Sequence, residues 1–205
     1  MRTAFLSLLT ILCLMLAVAP AMADTYSNGA YNGTNDGWTI NFGFTVSDSF
    51  TLAAGNVNNF HFVYWDASAS DLLTTADLAL GTTSFGGSAT TVAFSNAFLG
   101  TNQYGYNLYQ ADATGLNIPW SGGAGFATLG NACSTSGCSV SNPIYWDENS
   151  GPSTAYENTL GSIPSEAFTL VGNTFIGPTP EPVSIMLAGF SIFGLTRILR
   201  RKLMH

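Results

Sequence analysis

Between residues 24 and 180 the chain has no lysine and no arginine, and this gap in basic residues limits the possible functions of the chain more than any other feature. All 5 basic residues lie near the ends of the 205-residue chain, whereas every acidic residue except Glu181 lies within the gap. A surface without cations cannot neutralise a phosphate backbone, so nucleic-acid binding is excluded. Phosphate loops that use lysine, Schiff-base chemistry and arginine clamps on anionic substrates are excluded for the same reason.

The first 23 residues have the three parts of a cleavable secretory signal. Arg2 precedes an apolar stretch at residues 4–18, and Ala21 and Ala23 then form a small-x-small site. We therefore expect signal peptidase to cut after Ala23. An uncleaved membrane anchor is the alternative, but the apolar stretch is shorter than the roughly 20 residues that a membrane span needs.

Residues 177–205 contain a proline-glutamate-proline element, an apolar run and a basic end, in that order. These parts are Pro180, Glu181 and Pro182, then residues 183–199, and then the cluster of Arg197, Arg200, Arg201 and Lys202. The run has the shortest length that can cross a bilayer, and basic residues stay on its cytoplasmic side, which leaves the acidic domain outside. The alternative is an ordinary single-span anchor, because proline and glutamate also suit the first turn of a helix.

This C-terminal arrangement resembles the PEP-CTERM sorting signal of Gram-negative bacteria. In that family an integral-membrane cysteine transpeptidase, exosortase, is thought to cut at or near the Pro-Glu-Pro element. The resemblance implies that Pro180, Glu181 and Pro182 are the recognition element, that residues 183–199 are a transient inner-membrane anchor, and that the basic cluster is the membrane stop. It also implies an exosortase-type partner and a final location at the cell surface or in an extracellular exopolysaccharide matrix.

The region between these signals has the pattern of short strands. Trp38, Ile40, Phe42, Phe44 and Val46 alternate with small or polar residues, which predicts one strand over residues 38–46. Further candidate strands are residues 49–52, 59–65, 78–82, 90–94, 103–110, 125–129, 143–146 and 166–171, and residues 68–80 are a candidate for a short helix ended by Gly81.

Turns rich in glycine, asparagine and serine separate these candidate strands. We therefore predict that residues 24–176 form an all-β domain, an antiparallel β-sandwich of the jelly-roll or Greek-key type. The predicted signal helix precedes this domain, and the predicted transmembrane helix follows it.

Cys133 and Cys138 are the only cysteines left once the predicted signal peptide is removed. Exported proteins fold in an oxidising environment, where a disulfide is the usual state of such a pair. A metal site is disfavoured, because the two thiols have no neighbouring histidine. The sequence therefore predicts a Cys133–Cys138 disulfide.

The triplet Tyr-Trp-Asp occurs at residues 64–66 and again at residues 145–147. Indole rings offer flat apolar faces to sugars, and a neighbouring carboxylate accepts hydrogen bonds from hydroxyls, so Trp65 and Trp146 are candidate glycan contacts. The alternative is that both triplets are strand ends whose aromatic side chains lie in the core.

Asp147 and Glu148, with Glu157 and the acids of residues 66–71, are candidate oxygen ligands for a structural calcium ion. Against this, no segment matches a calcium-loop template, and most acids on a surface without cations are simply solvated. No other cofactor is predicted.

No catalytic residue is predicted. His61 is the one histidine between residues 24 and 180, and no Gly-x-Ser-x-Gly element is present to position a nucleophile. A pair of carboxylates that hydrolyses glycosides is recognised by its separation, which the sequence does not give. We therefore predict an exported noncatalytic structural protein, with a lectin-like carbohydrate-binding module and then a glycoside hydrolase as the alternatives.

Overall fold

The computed structural model describes residues 23–138 and 142–174, and within these ranges the chain forms strands, turns and loops without a helix. The strands are β1 Ala23–Ser27, β2 Gly37–Thr39, β3 Thr45–Leu52, β4 Gly55–Asp66, β5 Leu73–Gly81, β6 Thr90–Ala93, β7 Ser95–Thr101, β8 Asn107–Trp120, β9 Gly123–Ser134, β10 Ile144–Asp147, β11 Ala155–Glu157, β12 Gly161–Ile163 and β13 Phe168–Thr174. The all-β prediction is therefore confirmed for the described part of the chain. Both predicted terminal helices lie outside it, apart from Ala23.

The strands form two antiparallel sheets. In the first, which we call sheet A, β8 pairs with β7 on one side and with β4 on the other. Two strands share the opposite edge of β4. Its first part pairs with β13, which pairs with β1 on its other side, and its last part pairs with β10, which pairs with β2 on its other side. The second sheet, sheet B, has the order β12-β11-β3-β9-β5-β6.

Apolar side chains from both sheets meet between them and form one core. Trp146 of sheet A is fully buried, and its indole ring makes edge-to-face contacts with Phe60, Phe62 and Phe168 at centroid distances of 6.1, 5.7 and 5.6 Å. Phe50 of sheet B packs against Trp120 of sheet A. Burying a large side chain of this kind contributes roughly 2–3 kcal/mol, so the aromatic residues hold the two sheets together.

The long strand β4 gives sheet A its two distinct faces. A register shift after Val57 resets the alternation, and from there Phe60, Phe62 and Tyr64 point into the core. His61 and Trp65 alternate with these residues along the strand and therefore lie on the outer face. This alternation agrees with the strand predicted at residues 59–65.

The predicted strand at residues 38–46 is wrong, because the chain crosses from sheet A to sheet B inside it. β2 ends at Thr39 and β3 begins at Thr45. Phe42 between them has a positive φ of 57° and, like Phe44, is exposed. The period-two pattern therefore joins the end of one strand, an exposed turn and the start of another.

The short helix predicted at residues 68–80 is also wrong. Most of this segment is β5, in which Leu73, Ala76 and Leu78 are fully buried against the core. Gly81 does not end a helix but lies in β5, where the backbone of Gly86 approaches so closely that a side chain would not fit. Between β5 and β6 the backbone N–H of Gly86 donates to the carbonyl oxygen of Thr83 at 3.0 Å, which closes a turn.

Candidate functional site

Several predicted functional residues lie outside the described part of the chain. These are Ala21 of the signal cleavage site, the sorting residues Pro180, Glu181 and Pro182, and the membrane-stop residues Arg197, Arg200, Arg201 and Lys202. Ala23 is the first residue of β1, where it lies opposite Asn173 of β13. Asp24, the first residue after the predicted cut, also lies in β1, opposite Gly172.

Trp65 and Trp146 do not offer open faces to a sugar, so their prediction as glycan contacts is wrong. Trp146 is 0% exposed and its indole nitrogen donates a hydrogen bond to the carbonyl oxygen of Ala167 at 3.0 Å. Trp65 is 4% exposed, because the rings of Tyr104 and Tyr106 cover it at 6.0 and 5.9 Å. For Trp146 the alternative of a core position is correct.

Asp147 is a structural hydrogen-bond acceptor rather than an open calcium ligand. Its carboxylate accepts the indole N–H of Trp65 and the backbone N–H groups of Asn32 and Gly33, the last two at 3.1 and 3.0 Å. Burial raises the pKa of Asp147 to about 6. Glu148 accepts the indole N–H of Trp38 at 3.3 Å. Within residues 23–138 and 142–174, no group of three or more metal-ligating side chains is arranged to hold a metal ion.

The Cys133–Cys138 disulfide is confirmed, with an S–S distance of 2.08 Å. It closes the turn that follows β9, and Ser134 and Gly137 reinforce this turn by exchanging two backbone hydrogen bonds of 3.0 Å. The disulfide therefore stabilises a local turn, while the core holds the two sheets together.

The outer face of sheet A carries a cavity of about 390 Å³ that is open toward the solvent. Tyr31 lines it with an aromatic ring. The polar side chains around it are Ser27, His61, Gln110 and Thr169. These residues come from β1, β4, β8 and β13, so the site exists only once four strands have paired.

Strand register places a line of polar side chains across this cavity. Ser27 lies opposite Thr169, Thr169 lies opposite His61, and His61 lies opposite Asp112. Side chains opposite one another on neighbouring strands have Cβ atoms about 5 Å apart. The line therefore presents hydroxyl, imidazole and carboxylate groups at regular spacing.

His61 and Asp112 are in contact and form an ion pair when the imidazole is protonated, the one such pair found within the described residues. Nδ1 of His61 lies 2.6 Å from Oδ1 of Asp112, and the two side chains are 28% and 26% exposed. Gln110 donates its amide N–H to the same oxygen at 2.7 Å. Because the carboxylate holds Nδ1, Nε2 is the ring nitrogen left for a ligand.

The line lacks an activated nucleophile. Thr169 donates its hydroxyl hydrogen to Ser27 at 3.4 Å, and no hydrogen bond in the described part of the chain joins His61 to a hydroxyl. Nucleophilic catalysis by serine or threonine needs the base within hydrogen-bond reach of the hydroxyl. Among the described residues, the imidazole of His61 is therefore held by Asp112 and not placed beside a hydroxyl.

A second polar cluster lies inside one end of the sandwich, and we call its five residues Asn28, Asp48, Asn149, Ser165 and Glu166 the polar plug. Asn28 donates from its amide to Asp48 at 3.2 Å and to the backbone oxygen of Glu166 at 2.6 Å. The backbone N–H of Glu166 also donates to Asp48, at 2.7 Å. Because Asp48 belongs to sheet B and Asn28 and Glu166 adjoin sheet A, the plug links the two sheets.

The carboxyl group of Glu166 is fully buried and has no hydrogen-bond partner among residues 23–138 and 142–174. Burial, together with the nearby charge of Asp48, raises its pKa well above the ordinary value, which keeps Glu166 neutral. Burial also raises the pKa of Asp48 to about 6, although hydrogen bonds to Ser153, Glu166 and Ser49 act in the opposite direction.

Sequence reasoning did not find the pairing of His61 with Asp112, which lie 51 positions apart in the chain. The sequence predicted a strand at residues 59–65, and the structure places His61 on the face of that strand opposite Phe60 and Phe62. Nothing in the local sequence of Asp112 specified that β8 would pair with β4 in the register that brings the two side chains together.

A search of protein families and a search of curated proteins both find no match to this chain. Among the described residues, no helix is long and apolar enough to cross a membrane.

Proposed function

We propose that this chain is an exported noncatalytic protein that is processed through a PEP-CTERM and exosortase route. It is then deployed at the cell surface or in an extracellular exopolysaccharide matrix. One observation carries the proposal: all 5 basic residues lie at the two ends, beside a signal-like N-terminus and a Pro-Glu-Pro element followed by an apolar run.

In this proposal signal peptidase cuts after Ala23, and the exosortase-type enzyme recognises Pro180, Glu181 and Pro182. Residues 183–199 form a single transmembrane helix that anchors the chain transiently in the inner membrane, and the basic end holds it there. Jelly-roll or Greek-key connectivity is part of the same proposal. It is supported by the antiparallel pairing of strands that are distant in the chain.

The described domain suits an extracellular setting. It contains a disulfide, which an oxidising environment maintains. It lacks an activated hydroxyl beside His61, which supports a noncatalytic role. After both cuts the product would carry many acids and no lysine or arginine, a charge that favours solubility through mutual repulsion.

Substituting Glu181 with alanine tests the sorting step. We expect Glu181→Ala to leave full-length protein in the inner membrane, measured by fractionation and immunoblotting, because the enzyme is proposed to read this side chain. Thr179→Ala, just outside the element, is the matched control and should be released normally. Normal release of Glu181→Ala would contradict the proposal.

Mass spectrometry of the released protein tests both cuts at once. Residues 24–180 contain no site for trypsin, so digestion should leave the processed domain as a single fragment. Its mass gives both ends. A released form that retains Arg2 or Lys202 would exclude processing at the corresponding end.

A further inference from the structure

We propose that the cavity on the outer face of sheet A binds a neutral hexose unit of a polysaccharide. The inference relies on the proposed function only for its setting, since an extracellular matrix supplies such polymers. The cavity differs from the tryptophan positions that the sequence suggested, because Trp65 and Trp146 are buried.

The size and opening of the cavity fit a single sugar residue within a chain. Small-molecule sites are concave and have volumes of roughly 300–1,000 Å³, and this cavity lies near the lower limit at about 390 Å³. Because the cavity opens toward the solvent, one sugar unit can occupy it while the neighbouring units of the polymer stay outside in the solvent.

The polar groups match the hydroxyls of a sugar. A sugar hydroxyl both donates and accepts hydrogen bonds, and the cavity offers groups of both kinds. Ser27 and Thr169 carry hydroxyls, Gln110 carries an amide, and His61 has a free ring nitrogen. Their positions on paired strands fix the spacing before a ligand arrives, which lowers the entropy cost of binding.

Tyr31 supplies the apolar part of the site. Its side chain lines the cavity and is 41% exposed, so the ring is accessible to a ligand. A pyranose ring has faces of C–H groups that pack against an aromatic ring, and tyrosine combines such a face with a polar tip. Tyr104 is different, because its ring stacks on Trp65 and its hydroxyl is bound to the carbonyl of Thr34.

The charge distribution selects a neutral sugar over an acidic one. Asp112 offsets any positive charge on His61, and no lysine or arginine exists between residues 24 and 180. The remaining acids of the domain repel uronates and phosphorylated sugars. A neutral hexose avoids this repulsion.

The imidazole of His61 is a direct reporter of binding. The chain has two histidines, His61 and His205, so the variant His205→Gln leaves one imidazole. We suggest following its NMR signals in the full chain, purified in a detergent without a sugar head group. Neutral trisaccharides of glucose, galactose and mannose are added one at a time, and a trisaccharide containing glucuronic acid is the charged control.

We expect at least one neutral trisaccharide to shift the His61 signals saturably, with a Kd of about 1 mM, and the charged one to leave them unchanged. Tyr31→Ala and Thr169→Val should each weaken binding about tenfold, while Tyr104→Ala should leave it unchanged. A melting curve for each variant checks that it is folded.

Three results would overturn the proposal: no shift with any of the three neutral sugars, equal shifts with the charged sugar, or unchanged affinity in the folded Tyr31→Ala and Thr169→Val variants. The binding assay uses purified chain and does not depend on sorting. Failure of the sugar site and failure of the Glu181→Ala experiment are therefore separate results.

Discussion

The outer face of sheet A and the polar plug use the same type of group, a carboxyl, in opposite ways. Asp112 is partly exposed and has His61 as a partner that can carry charge. Glu166 is fully buried, and its carboxyl oxygens have no hydrogen-bond partner in the part of the chain that the structure describes. In a domain without lysine or arginine, Asp112 is partly solvated and hydrogen-bonded to a histidine, whereas Glu166 is buried and neutral.

The two regions are therefore expected to respond to different variables, one to pH and the other to a ligand. The plug depends on pH, because its acids must hold protons to remain buried without cations. The outer face is expected to respond to a ligand, because its polar side chains are already held in position and are partly exposed to solvent. The predictions below test whether stability belongs to the plug and binding to the outer face.

The largest expected effect is a loss of stability as the pH rises. The pKa values of Asp48 and Asp147 are raised to about 6, so the unfolded chain releases these protons first as the pH rises from 4. The free energy of unfolding should therefore fall between pH 4 and pH 6, by about 3 kcal/mol for each group. Urea unfolding at pH 4, 5, 6 and 7 measures this.

Two further acids shape the same pH profile. Glu166→Gln should flatten the fall, because glutamine has no proton to lose. Asp71 behaves in the opposite sense: burial acts to raise its pKa, but hydrogen bonds from Ser134, Ser136 and Asn142 lower it to about 2. Its contribution is lost as the pH falls below 4, which places the maximum of stability near that pH. A flat profile from pH 4 to 7 would contradict the account of Asp48 and Glu166 in the plug and of Asp147 outside it.

The next effect in size is the removal of Asp48. Asp48→Ala leaves the backbone N–H of Glu166 and the amide of Asn28 without this buried acceptor. We expect a loss of about 3 kcal/mol at pH 5, measured by urea unfolding. Asp112→Ala is the matched control on the outer face and should cost less than about 1 kcal/mol. Equal losses would remove the distinction between the two regions.

Loss of the disulfide should have a moderate effect that is independent of both regions. The double variant Cys133→Ser, Cys138→Ser releases a short loop, and the chain-entropy relation gives a cost of about 2 kcal/mol. Thermal or urea unfolding measures it. The His61 signals should stay in place, since the cavity shares no lining residue with this turn. A shift of those signals would show coupling between the turn and sheet A.

The smallest expected effect on stability is that of His61→Gln. The ion pair with Asp112 is partly solvated, and such pairs contribute at most about 1 kcal/mol. His205→Gln is the control for loss of a histidine. If His61→Gln lowered the free energy of unfolding by several kcal/mol, the outer face would contribute substantially to the stability of the fold and not only to binding.

The sequence predicted the parts of the fold that depend on local alternation. The strand predicted at residues 59–65 is present within β4, and two remaining cysteines in a chain expected to be exported were enough to predict the disulfide. It failed at residues 38–46, because a change of sheet inside a periodic segment leaves the periodicity intact. It failed at residues 68–80, because β5 is interrupted by register shifts that blur its alternation.

The candidate site was less predictable than the fold. The aromatic triplets suggested Trp65 and Trp146, yet both side chains serve packing. The cavity requires Ser27, His61, Gln110 and Thr169 to meet across four strands, and that depends on the register of strands distant in the chain. No local pattern encodes such a register, so the structure was needed to locate the site.

The position of the last strand has a mechanical consequence. β13 is flanked by β1 over five residue pairs and by β4 over seven, and the chain continues beyond it toward the Pro-Glu-Pro element. A load applied to the end of β13 along the axis of the strand acts on both of these pairings at once. The hydrogen bonds on both flanks then resist together in shear rather than opening one after another. A load along this axis therefore meets more resistance than one that peels β13 away from a single neighbour.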